Sequence, residues 1–177
     1  SLSHIILRVI SKLYYVQRMY VYVIPYFKNY DYIDDEIKVF NKSVVSGLLK
    51  DEVISTVEFD KFNSFLNMDM RGFYILKDKQ LAGYSWIQYG GDYNLCKWLS
   101  INITKQFAVF RNLYVNPQFR GLSLGKRLNK IRLANIDPEI IPVGFVIAEN
   151  KYAKRNLEKY GFQTAVQLNY KRFFSVF

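Results

Sequence analysis

A chain of 177 residues, half of them hydrophobic, is long enough to bury an ordinary core, and one domain is expected. The single cysteine, Cys96, excludes an internal disulfide framework and a cysteine-built zinc site, and the single histidine, His4, placed near the terminus, argues against a histidine-rich metal site and a histidine-dependent triad. No metal is expected, and a reducing, cytoplasmic setting is. The net charge of +10 is uneven: residues 31–60 hold eight acids against three lysines while both flanks are basic, a pattern that fits an anionic ligand and a cationic one.

Residues 1–18 read as an amphipathic basic helix, followed by a single domain over residues 19–177. Arg8, Ser11, Lys12, Tyr15 and Arg18 share one face, and Ile6, Val9, Ile10, Leu13 and Val16 the other. Three bases between Ile5 and Ile24 make this segment too polar to cross a bilayer. Such a helix packs on its own domain or a partner, or makes peripheral membrane contact through residues 5–18.

The β-rich run Met19–Phe27 predicts a strand that stops near Pro25. Residues 30–68 predict two helical stretches, with Asp34 or Asp35 as an N-cap. GFYILKDKQLAGYSWIQYGG predicts an antiparallel hairpin turning at Asp78, Lys79 and Gln80. Residues 90–100 read as a loop and Ile101–Val115 as a long strand. A helix then runs to about Asn135, with a break at Asp137–Pro138. PVGFVIAEN predicts a short buried strand, NKYAKRNLEKYGF a helix ending at Gly161, and QTAVQLNYKRFF one or two closing strands.

Between the long strand and the helix lies VNPQFRGLSLGKRL, Val115 to Leu128. A strand that passes through a loop into a helix leaves backbone N–H groups pointing out of the helix start, where aligned peptide dipoles add positive charge. Gly121 and Gly125 let a diphosphate approach the backbone, and Arg120 and Lys126 stand beside it. A solvated strand–helix corner explains the same loop equally well.

The segment LYVNPQFRGLSLGKRL resembles the coenzyme A pyrophosphate loop of the GNAT N-acetyltransferase superfamily, whose pattern is Arg or Gln, two residues, Gly, one residue, Gly or Ala. Arg120 and Gly125 match, and Ser123 stands where the first Gly usually is. ENKYAKRNLEKYGF resembles the family's later helix, and FYILKDKQLAGYSWI, with Gly83 and Tyr84 after its turn, its second and third strands. The resemblance implies a mixed, largely antiparallel sheet of six or seven strands flanked by helices. It implies acetyl-CoA as co-substrate and direct transfer of the acetyl group to a primary amine, without an acyl-enzyme.

It also implies residue roles. Leu113, Tyr114 and Val115 would meet pantetheine through their backbone. Arg120, Gly121, Leu122, Ser123, Leu124, Gly125 and Lys126 would bind the diphosphate, and Asn150, Ala153 and Asn156 would flank the pantetheine arm. Leu157 occupies the position where the family often has a tyrosine acid, seven residues after the Asn, so Tyr160 is the candidate in its place. Asp34 and Asp35 are candidates for receiving a cationic amine; acids at a helix start explain them as well. The acceptor expected is a small amine, an amino sugar or a polyamine-like molecule. A tRNA or protein amine, or acyl-CoA binding without chemistry, are the alternatives. Tyr14, Tyr15, Tyr170 and Phe173 read as exposed aromatics suited to nucleic acid, or to a homodimer built on the closing strands.

Overall fold

The computed structural model describes residues 14–28, 30–96 and 99–173. Their strands, in chain order, are β1 (Tyr14–Val23), β2 (Ile37–Val39), β3 (Arg71–Lys77), β4 (Gln80–Cys96), β5 (Leu99–Val115), β6 (Ile141–Ile147) and β7 (Gln163–Phe173). Helices α1 (Lys42–Lys50) and α2 (Thr56–Asn67) precede β3; α3 (Leu124–Ala134) joins β5 to β6, and α4 (Lys151–Glu158) joins β6 to β7. The chain forms two compact units, Pro25–Val143 and the pair of ends up to Ile24 and from Gly144.

In the larger unit the strand order is β2-β3-β4-β5-β6. The first three ladders are antiparallel, and β6 joins parallel to β5 through Ile141–Val143. A parallel neighbour needs a crossover, which α3 supplies. Helices α1 and α2 cover one sheet face, where Phe40, Val45, Leu48, Phe62, Tyr74, Tyr84 and Trp86 make an apolar cluster. The indole of Trp86 is fully buried and stacks on Phe40, centroids 4.9 Å apart and planes 3° from parallel. Helix α3 packs on the other face through Leu124, Leu128 and Leu133. In the smaller unit β1 pairs antiparallel with β7 from Tyr14↔Phe173 to Val23↔Gln163. Ala148 there donates its N–H to the carbonyl of Arg18 (2.9 Å). The mixed, mainly antiparallel seven-stranded architecture is the one expected.

Several boundaries differ from expectation. Most of the helix expected over residues 1–18 lies outside the described residues, and its last five, Tyr14–Arg18, are strand. Tyrosine and valine are residue types that suit a pleated ladder, and β7 provides one along the whole length. Neither Asp34 nor Asp35 caps a helix. Asn41 caps α1 by accepting the N–H of Val44, Ser55 and Glu58 form a capping box on α2, and residues 37–39 are strand. Of the expected loop over residues 90–100, the described residues 90–96 and 99–100 are strand instead: β4 and β5 continue through them as a two-stranded arm, paired from Gly91↔Ile103 to Cys96↔Leu99. Gly90 and Gly91, at φ 69 and 79, bend the ribbon where the arm begins. Buried Gln88 ties that bend by donating to the carbonyls of Gly90 (2.8 Å) and Asp92 (3.0 Å). Tyr170 is buried rather than exposed, its hydroxyl bonded to Gln17 at 2.6 Å.

Candidate functional site

The ladder between β5 and β6 covers only Phe107–Val109, yet β5 continues to Val115. Among the described residues of the larger unit, no strand covers that side of the last residues. On its other side β5 carries a bulge: Tyr84 faces Tyr114 and Trp86 faces Arg111, so Ser85 alone opposes both Asn112 and Leu113. Asn112 takes a left-handed conformation there, φ 49. Gly83 permits the close approach beside the bulge, since a Cβ at that position would lie 2.9 Å from the Tyr114 carbonyl oxygen and 3.2 Å from Leu128 Cδ1. Leu113, Tyr114 and Val115 thus end a strand with backbone polar groups uncovered by this unit's sheet.

A 3₁₀ turn, Pro117–Phe119, buries Phe119 and delivers the chain to an exposed stretch, Arg120–Ser123. Gly121 (φ 88) and Ser123 (φ 56) are both left-handed. Ser123 begins α3 without making a side-chain cap, and the first turn holds no acid. Helices α1 and α2 are capped by side chains; α3 presents its opening N–H groups at Leu124 and Gly125 instead. A Cβ on Gly125 would meet only Val115 Cγ2 at 3.6 Å, so its absence is not demanded by the fold. An uncapped helix start, two left-handed loop residues and a bare Cα fit a diphosphate. The residues from Leu113 to Lys126 named from the sequence therefore form one continuous corner.

The left-handed serine is strained, because a Cβ costs roughly 1–2 kcal/mol in that region. Ser123→Gly is expected to raise unfolding stability by about 0.5–1 kcal/mol after the extra freedom of unfolded glycine is subtracted. A urea titration measures it, and an unchanged or lowered midpoint contradicts it.

Asn150, Ala153 and Asn156 belong to the smaller unit. Asn150 caps α4, its side chain accepting the Ala153 N–H at 3.0 Å. Leu157 is buried against Gly144, where a Cβ would come within 2.5 Å of its Cδ1. That position is core packing. Tyr160 lies in the turn after α4, its N–H bonded to the Leu157 carbonyl at 2.9 Å.

Asp34 holds a different post from the one expected. Arg127, one turn into α3, donates to both its oxygens, Nε to Oδ2 at 2.7 Å and an Nη to Oδ1 at 2.5 Å, and Tyr32 adds a bond at 2.8 Å. The guanidinium also reaches Glu36 at 2.6 Å, and Glu36 pairs with Lys77. Arg127 holds the Asp34 carboxyl down at about 2, which makes it a poor proton acceptor. Its role is to fasten the irregular segment before β2 to α3. Asp35 remains exposed beside it. Nothing local in the sequence links residues 93 positions apart.

A second group surrounds the bulge on the α2 side of the sheet. Arg111 donates to Gln88 Oε1 at 2.5 Å, its guanidinium 4.8 Å from the Tyr93 ring centre and 5.9 Å from that of Phe65. Lys61 of α2 donates to the Tyr84 hydroxyl at 3.0 Å, and its ammonium lies 5.8 Å from the same Phe65 ring. Tyr84 stacks on Tyr114, centroids 5.1 Å apart. The sequence carries no local signal for this group, because only the fold brings α2 to β5.

No family model and no curated protein sequence matches the chain. Solved structures do. A GNAT-family protein from Novosphingobium aromaticivorans superposes with a TM-score of 0.61 at 14% identity, over 88% of this chain and 63% of that one. A GCN5-related N-acetyltransferase-like protein from Streptococcus suis gives 0.56 at 14%, over 97% and 67%. A tandem GNAT protein from the clavulanic acid biosynthesis pathway gives 0.56 at 12%, over 89% and 54%. The chain has the GNAT fold, and it spans about three fifths of the length of the first structures it matches. Among the described residues no helix is long and apolar enough to cross a membrane, and no cluster of potential metal ligands occurs.

Proposed function

We propose that the protein is an acetyl-CoA-dependent N-acetyltransferase acting on the primary amine of a small acceptor. The observation that carries this reading is the uncapped start of α3 with left-handed Gly121 and Ser123 before it, on a fold shared with GNAT proteins. Main-chain N–H groups from Gly121 to Lys126 would hold the diphosphate, with Arg120 adding charge. Backbone groups of Leu113 and Val115 would hold the pantetheine arm where β5 leaves its ladder. Bound there, the co-substrate supplies an activated thioester: the amine forms the new C–N bond, the C–S bond breaks, and the amine's proton goes to solvent or to the departing thiolate. Asp34, tied to Arg127, is no general base in this reading.

Calorimetric titration of coenzyme A into the wild type, Arg120→Ala and Gly125→Asp tests the assignment. Aspartate near a helix start favours the helix, so this variant folds, while its charge opposes the phosphates. Affinity is expected to fall about tenfold for Arg120→Ala and about a hundredfold for Gly125→Asp, from one lost charge contact and one added repulsion. Wild-type affinity in both variants overturns the assignment. A thiol-release screen of acetyl-CoA against pooled amines tests the chemistry. A second reading, acyl-CoA binding without turnover, is favoured by the packed Leu157. It predicts thermal stabilisation by acetyl-CoA with no thiol release from any amine.

A further inference from the structure

Among the described residues, two cations beside the bulge of β5 have no acidic partner. The ion pairs among the described residues involve Asp34, Glu36, Lys77 and Arg127; neither Lys61 nor Arg111 makes one. Both are half-buried, and the groups they do contact are neutral: Gln88, the Tyr84 hydroxyl and the rings of Phe65, Tyr84 and Tyr93. A guanidinium offers five N–H donors in a planar fork matched to an oxyanion, and Gln88 is the acceptor seen for one of them. Partial burial of a cation without a carboxylate is unfavourable, and burial pulls the Arg111 pKa down. Aromatic walls relieve part of that cost by cation–π attraction and restrict the water that would otherwise screen an arriving charge. A carboxylate arriving there would offset the rest of that cost.

We propose that Arg111, assisted by Lys61, receives a carboxylate of the acceptor, so that the acceptor is an amino-acid-like amine rather than a polyamine. The position agrees: Arg111 directly precedes the bulge, on the strand whose last residues would carry the thioester arm. Calling the ligand an acceptor rests on the acetyl-transfer reading; the carboxylate site itself does not. Of the acids before β2, Asp34 and Glu36 are already held by Arg127 and Lys77, which leaves Asp31 and Asp35 exposed there for a cation.

Ligand-observed NMR on the full chain, with the common amino acids and their decarboxylated amines as probes, tests it without turnover. At least one amino acid is expected to bind, with its decarboxylated counterpart about tenfold weaker or more. Arg111→Gln and Lys61→Met are expected to weaken that amino acid at least about tenfold and about threefold, with coenzyme A affinity within about twofold of wild type. Arg111→Lys keeps the charge but loses the fork, and gives the same direction if the glutamine variant does not fold. Binding of decarboxylated amines only, binding of no amino acid, or wild-type binding by the Arg111 variants overturns the proposal. Arg111-dependent binding without thiol release from acetyl-CoA sinks the transfer reading and leaves the carboxylate site standing. Thiol release with decarboxylated amines at undiminished rate does the reverse.

Discussion

Gly72→Ala is expected to destabilise the protein by about 3 kcal/mol, near the top of the range for forcing a methyl into a packed core. Gly72 on β3 faces Trp86 on β4, and a Cβ there would lie 2.5–2.6 Å from three carbons of the indole ring. The ring cannot yield. It is fully buried, stacked on Phe40, and approached by Phe62 and Phe65, with centroids 5.7 and 5.1 Å away. An aromatic cluster of this density has no rotamer to retreat into, so the backbone of β3 must move instead. Gly47→Ala makes the matched control. It lies inside α1 with nothing within 4 Å of the built Cβ, and should stabilise by about 0.5–1 kcal/mol through helix propensity. Denaturant midpoints that move the same way for both variants contradict this account.

Asp34→Asn is expected to cost about 2 kcal/mol at neutral pH, because it removes the charge on which Arg127 closes. The bidentate pair lowers the Asp34 carboxyl from an ordinary 3.8 to about 2. A folded-state value depressed below the unfolded one stabilises at pH above the ordinary carboxylate range, and that contribution disappears as pH falls through the folded value. The wild type should therefore lose about 2 kcal/mol relative to Asp34→Asn between roughly pH 4 and pH 2, since each tenfold change in proton affinity is worth about 1.4 kcal/mol. Parallel pH–stability curves for the two proteins would show that the carboxylate is no tether. Arg127 keeps Glu36 in the variant, so loosening should concentrate in residues 30–36 rather than in α3.

Much of this architecture was legible in the chain itself. The hairpin turn at Asp78 and Lys79 was readable from its residue types, and both adopt positive φ, 50 and 59. The strand to Val115, the corner and the two later helices follow from apolar periodicity punctuated by glycine and proline. The errors share one physical origin. Tyr14–Arg18 has helical spacing, but a long partner strand outweighs local preference. Asp34 looks like a helix cap locally, whereas its partner, Arg127, lies on a distant helix. The arm after Gly90 looks polar and loop-like because its ladder buries little, yet backbone pairing keeps it regular. Of the candidate site, the corner Leu113–Lys126 could be read as a continuous stretch. The Lys61–Arg111 group could not, since α2, β4 and β5 each contribute a few side chains to it.

Beyond Gly91 no third strand, among the described residues, pairs with either side of the arm formed by β4 and β5, so its two outer rows of backbone groups carry no further ladder. Such rows are templates for a strand from another molecule. A net charge of +10 holds copies apart while electrolyte is dilute. The reach of that repulsion shrinks from about 10 Å at ~0.1 M salt to about 3 Å at ~1 M. Raising the ionic strength is therefore expected to let these ribbons approach one another at concentrations where dilute electrolyte keeps them apart.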